Sequence, residues 1–230
     1  MQKRLQKGSE GVEIAFIKEY TPMYMEAAKL TIGIALIGIV LSLIIGLVCS
    51  MVLYYKIPIF RKIVTVYIEL SRNTPLLVQL FLLYFGLPKA GIKLESVTCA
   101  VIGLSFLGGS YMAEAFRSGL ESVEKNQLES GLSIGLSRRQ IMSSIIFPQA
   151  LSVSIPALCA NIIFLIKETS VFSVVALADL MYVAKDLIGL YYDTNEALFM
   201  LVVAYLILLL PISVIAWVLE RRLRYAGFGS

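Results

Sequence analysis

From Leu30 to Leu53 the chain runs without one charged side chain, bracketed by Lys29 and Lys56. A helix needs about 20 apolar residues to cross the roughly 30 Å of hydrocarbon in a bilayer, and this run supplies them. No water is available there to satisfy the backbone, so the segment has to bond to itself as an α-helix, with the lysines as interfacial anchors. The rest of the chain is of the same kind. It is 58% hydrophobic and only 16% charged, with a mean hydropathy of +0.83, whereas soluble domains carry about a quarter charged residues. These properties predict an all-α membrane protein of one domain, with room in 230 residues for five or six crossings.

Four further spans can be read. Ile63 to Leu87 is apolar but holds Glu69, Arg72 and Pro75, which predicts a helix bent or broken where the proline removes a donor. Val97 to Phe116 includes the close-packing run Gly108, Gly109, Ser110. Ile145 to Leu177 contains Lys167 and Glu168 and is long enough for two segments or one tilted helix with an extension. Ala197 to Leu219 ends at Arg221, Arg222 and Arg224. Residues 1–26 read as a polar N-terminal tail, 27–220 as the membrane domain and 221–230 as a basic tail.

Orientation follows from the flanking cations. Lys56, Arg61, Lys62, Arg117, Lys125, Arg138, Arg139 and the three C-terminal arginines fall on one side. Lys89, Lys93 and Lys185, with Asp179, Asp186, Asp193 and Glu196, fall on the other. The positive-inside rule then puts the C-terminus in the cytoplasm and, with five spans, the N-terminus outside. Lys3, Arg4, Lys7 and Lys18 in the N-terminal stretch weaken that asymmetry at one end.

Several chemistries are disfavoured. There is no histidine, the commonest general base and zinc ligand, and no GxxxxGK[ST] phosphate loop. Cys49, Cys99 and Cys159 lie in apolar runs without metal or disulfide spacing and read as packing residues. No catalytic residue, metal site or nucleic-acid surface is expected.

The polar interruption at 124–148 is the most informative stretch. Asn126 and Glu129 have the spacing of a helix cap, Gly135 suits a left-handed terminating residue, and Ser137 with Gln140 repeats the capping pattern. The reading is helix, glycine turn, helix, with Gly131 and Gly135 admitting a close neighbour and Arg138 and Arg139 exposed at the turn. On residues alone, an amphipathic interfacial helix fits equally well.

Charges at bilayer depth face partners or polar cavities. Glu69 and Arg72, three apart, are expected to neutralise each other as a structural pair. Lys167 and Glu168 point about 100° apart and need other partners. With Thr169 and Ser170 they form the candidate lining of a path for a zwitterion. Tyr111 and Glu114 are a further candidate, and Asn161 is placed either to line the same path or to bridge helices.

The spacing of Glu129, Gly135, Ile145 and Pro148 resembles the EAA signature of the permease subunits of bacterial ABC importers, with Ser130 and Gly131 where that family has two alanines and Phe147 where it has leucine. The segments Tyr67 to Pro88, Tyr111 to Leu120 and Lys167 to Ser170, and the terminal GluArgArg, resemble the polar amino acid branch, the histidine, glutamine and glutamate permeases. The resemblance implies a five-helix type I importer permease fold in the bacterial inner membrane and a transport subunit, not an enzyme. It implies a dimer of ATP-binding subunits as partner, a second permease copy or homologue, and an extracytoplasmic binding protein. ATP would be used by the partner and no cofactor held here. Glu129, Gly131, Gly135, Arg138 and Arg139 would then form the ATPase-coupling surface. The competing reading is an ion-coupled secondary amino acid carrier, disfavoured because the hydropathy shows no internal repeat.

Overall fold

The computed structural model describes residues 14–227, with side chains through Arg222. Every regular element among them is helical. Of the expected tails, 1–13 and 228–230, and the side chain of Arg224, lie outside the described residues.

The first helix, α1 (Ile14–Tyr54), begins well before the apolar run. Residues 14–26, expected as tail, are helical because Phe16, Tyr20, Tyr24 and Ala27 recur at helical spacing and are buried. They pack on the later helices α8 (Leu180–Tyr191) and α9 (Thr194–Gly227), where the Tyr24 hydroxyl donates to the Ala197 carbonyl at 2.7 Å. The charged residues of this stretch face outward, with Lys29 paired to Glu26 at 2.6 Å.

The expected second span is divided. An amphipathic helix, α2 (Pro58–Arg72), is followed by a short apolar one, α3 (Leu76–Phe81), which runs on through a wide π-type turn (Leu82–Gly86) and a 3-10 turn (Leu87–Ala90). Pro75 makes the break, since it cannot donate to α2 and biases Thr74 away from helical geometry. Carbonyls at the break are met by side chains. Asn73 Nδ2 donates to Glu69 O at 2.7 Å, Thr74 Oγ1 to Leu70 O at 2.8 Å, and Gln79 Nε2 to Ser71 O and Thr74 O at 3.2 and 3.0 Å.

At the centre lies α4 (Ser96–Ser122). It packs along α1 through small residues, with Gly38 against Leu104, Gly46 against Met112 and Gly108 against Ser42. On another side Tyr67 and Ser71 of α2 both donate to the Phe106 carbonyl, at 2.7 and 2.9 Å. The third neighbour is α7 (Phe147–Glu168), where Gly119 sits on Ala150 and Ser154. The core around Leu104, Met112, Leu165 and Phe172 is dry and close-packed. Cys49 and Cys99 are buried and Cys159 half-buried, all unpaired, as packing residues should be.

Four helical stretches are long and apolar enough to cross a membrane: Ile14–Tyr54, Ser96–Ser122, Arg138–Val175 and Thr194–Arg222; Leu76–Ala90 is a shorter apolar helix. The third of these bends where α7 passes into a 3-10 segment (Thr169–Val175).

Candidate functional site

After the second long span, α5 (Lys125–Ser133) and α6 (Arg138–Ile141), which opens the third, form the expected helix-turn-helix. The first cap falls at Glu124, in extended geometry and without a side-chain bond, so the Asn126 and Glu129 capping pair does not form. The turn itself follows the expectation. Gly135 adopts φ of +83°, and its N–H bonds to Leu132 O while that of Leu136 bonds to Gly131 O, which is the six-residue closure that favours glycine. Ser137 and Gln140 complete a reciprocal capping box. A π-type turn (Met142–Ile146) then leads into α7, where Pro148 has no N–H with which to continue an α-helical ladder.

Gly131 does not belong to an outer surface. It is buried, and a Cβ there would lie 2.8 Å from Ile141 Cγ1, so the notch is filled by the next helix of the same chain. What the unit presents is Glu129, Ser130, Gly135, Arg138 and Arg139, all exposed, together with Leu132 and the 76% exposed Ile134. The two apolar residues were not singled out from sequence, although a large aliphatic side chain beside a glycine turn in a polar segment was a readable signal.

The second region lies where α2, α4 and α7 meet. Glu69 and Arg72 do not pair. Glu69 accepts from Asn73 Nδ2 at 3.2 Å, and the Arg72 guanidinium stands over the Tyr111 ring, 5.3 Å from its centroid. The turn closed by Asn73 occupies Glu69 locally, while Arg72 gains an aromatic face. Tyr111 also packs on Phe164 of α7, with centroids 5.0 Å apart, and its carbonyl accepts from Asn161 Nδ2 at 3.1 Å. Asn161 therefore ties α7 to α4. Replacing it with leucine is expected to cost about 0.6–1 kcal/mol, measured as a lower denaturant midpoint of the purified protein.

One turn on, Arg117 is ion-paired with Glu114 and Glu121, its Nη1 reaching Glu121 Oε2 at 2.7 Å. The candidate cluster at the end of α7 is split by the change of helix type. Lys167 is exposed, Glu168 and Ser170 are half-buried, and the buried Thr169 hydroxyl donates to Ile166 O at 2.7 Å. Among the described residues no group of three or more acidic, cysteine or histidine side chains is placed to hold a metal.

The chain is similar to known proteins over most of its length. Residues 38–225 match the family model of the binding-protein-dependent transport system inner membrane component. The chain is 35% identical over 175 residues to the probable glutamine ABC transporter permease protein GlnP of Bacillus subtilis, covering 76% of this chain and 80% of that one. To the glutamine transport system permease protein GlnP of Escherichia coli K12 it is 34% identical over 205 residues, 88% and 94% of the two chains. A crystal structure of an amino acid ABC transporter with histidines superposes with a TM-score of 0.85 at 29% identity, over 92% of this chain and 99% of that one. The methionine ABC transporter MetNI, at 17% identity and a TM-score of 0.70, shares the fold. With four long apolar helices and a match over most of its length, the chain belongs to the inner-membrane permease components of binding-protein-dependent ABC transport systems.

Proposed function

We propose that this chain is the membrane-spanning subunit of an ATP-driven importer of a polar amino acid, and that the α5–α6 unit docks on a separate ATPase. The observation that carries the reading is the exposed, glycine-closed unit itself, which exposes Leu132 and Ile134 on the same unit as Glu129, Arg138 and Arg139. Exposed aliphatic side chains accompanied by charged ones suit a protein interface, whose core is apolar and whose rim is polar. The relatives' names supply the substrate class. In this reading the short apolar helix Leu76–Ala90 is the remaining crossing, which makes five, with the N-terminus outside and segment 124–148 in the cytoplasm. The membrane domain is 27–220, and the helix that starts at Ile14 extends it outward. A second permease and an external binding protein complete the machine. The ATPase alone uses nucleotide, and this chain holds no cofactor.

The substrate path is assigned to two groups of residues, those around Tyr111 and those at the end of α7. Arg72 and Lys167 are the exposed cations suited to a carboxylate, and Glu168 the half-buried acid suited to an ammonium, with Glu114, ion-paired with Arg117, bordering the path. Thr169 and Ser170 add hydroxyls, and Asn161 holds the two helices in register. Arg72→Gln is expected to raise the KM for uptake about tenfold or more, since a hydrogen bond to a charged group is worth about 1.5–3 kcal/mol. Arg72 is exposed and makes no ion pair among the described residues, so the variant should assemble normally. An unchanged KM would remove it from the path.

The function is tested by reconstitution. Vesicles holding this chain and its ATPase, with binding protein outside and labelled glutamine as the probe, should take up the label only with ATP inside. Uptake by the isolated chain on an ion gradient would overturn the reading in favour of a secondary carrier.

A further inference from the structure

At the turn from α1 to α2 every residue from Tyr55 to Ile63 is exposed. Among them are the cations Lys56, Arg61 and Lys62, none ion-paired among the described residues, and the chain has no acidic residue between Glu26 and Glu69. The first turn of α2 likewise holds no acid and has no side-chain cap, so its cations stand at the end where the helix dipole disfavours them. Lys56 itself lies at φ of +53° in the turn that closes α1, where its N–H bonds to Leu53 O and that of Ile57 to Val52 O. Glycine fills such a left-handed position at least cost, so a lysine there works against the backbone's preference.

The helix that follows has one side turned inward and one apolar side left open. Tyr67 and Ser71 bond to the Phe106 carbonyl of α4, and Ile68 is buried beside Ala113. Ile59, Ile63, Val66 and Leu70, at the spacing of one helical stripe, are between 56% and 73% exposed. From Ile59 to Leu70 the stripe rises about 16 Å, close to the roughly 15 Å of hydrocarbon in one leaflet. The three cations stand together at one end of it. That end of the bundle also carries α5 and α6, since Met51 and Tyr54 of α1 pack on the cluster of Leu120, Ile141 and Ile146. Of the acids there, Glu121 is taken by Arg117, and Glu124 and Glu129 belong to the α5 unit.

We propose that this corner binds an anionic phospholipid, its phosphodiester on Lys56, Arg61 and Lys62 and an acyl chain along Ile59, Ile63, Val66 and Leu70. Arg61 offers a planar fork for two phosphate oxygens, and the lysines add point charges beside it. An apolar stripe one leaflet long, with cations at a single end, matches a lipid with a negative headgroup. That the leaflet is the cytoplasmic one rests on the reading that α5–α6 faces the cytoplasm.

The test is native mass spectrometry of the purified transporter, this chain with its ATPase, comparing phosphatidylglycerol with phosphatidylcholine of the same acyl chains. Phosphatidylglycerol should bind more tightly. At about fivefold for each cation lost, Lys56→Gly should weaken that preference about fivefold and Lys56→Gln/Arg61→Gln/Lys62→Gln about a hundredfold. Lys56→Gly should melt no lower than wild type, since glycine relaxes the turn. Lys89→Gln/Lys93→Gln/Lys185→Gln removes as many charges at the opposite end of the bundle and should keep the preference. A preference that survives the first triple variant, or falls equally in the second, overturns the site. So does displacement of the lipid by inorganic phosphate, which would make this a free-anion site, or loss of the ATPase from the first triple variant, which would make it a protein contact. Lipid binding is read without uptake, so it stands or falls separately from the proposed function.

Discussion

Gly135→Val is expected to leave the protein inserted and assembled while uncoupling ATP hydrolysis from uptake. Gly135 sits at φ of +83° with open space around it, so the substitution meets no steric wall outside the backbone. The cost is conformational. A β-branched residue in the left-handed region loses about 1–2 kcal/mol, and that lowers the population of the native turn against its competitors by about 5–30-fold. The closure between Gly131 and Leu136 goes with it, and with that the fixed angle at which Ile134 and Glu129 are presented. Membrane helices distant from the turn are untouched, which is why insertion should survive. Reconstituted vesicles should show uptake down about tenfold or more with ATP hydrolysis retained, and Gly135→Asn, which tolerates this geometry, should transport nearly as well as wild type. Wild-type uptake in the valine variant would sink the idea that the turn sets the docking geometry.

The larger effect on stability is expected at Gly46. A Cβ there would collide with Met112 Cβ and stand 2.8 Å from the Ala113 backbone nitrogen. Met112 and Ala113 are both fully buried in the middle of α4, so neither can retreat. Relief requires the two helices to separate along the seam that holds Gly38, Ser42 and Gly108. Overpacking typically costs about 1–3 kcal/mol, and a clash with backbone lies at the upper end or beyond. Gly46→Leu should therefore yield little assembled transporter, and Gly46→Ala a reduced amount with a lower denaturation midpoint. Gly33→Ala in the same helix, with nothing within 4 Å, is the control. It should be neutral or gain up to about 1 kcal/mol, since alanine is the better helix former. Equal stability of the two alanine variants would show that the α1–α4 seam is looser than its geometry.

Much of the architecture was legible because it is local. The apolar run of α1, the break at Pro75, the left-handed Gly135 and the Ser137 to Gln140 box each depend on a few neighbouring residues. The N-terminal extension of α1 was missed because its polar residues masked the four-residue recurrence of Phe16, Tyr20 and Tyr24, which packs against α8 and α9. The Glu69–Arg72 pair failed for a similar reason. Helical spacing allowed it, but Asn73 claimed one partner and Tyr111 the other.

By itself the sequence determined that this chain lies in a bilayer as helices, where the break at Pro75 and the turn at Gly135 fall, and where a polar segment interrupts them. Desolvation of the backbone and turn stereochemistry act within a few residues and leave their mark in composition and spacing. Only the tertiary structure decided which groups find partners: Gly131 turned inward on Ile141, Arg72 set on Tyr111, the Tyr24 hydroxyl bonded to Ala197. Those choices rest on contacts between helices far apart in the chain, where several side chains compete for each partner and packing selects among them.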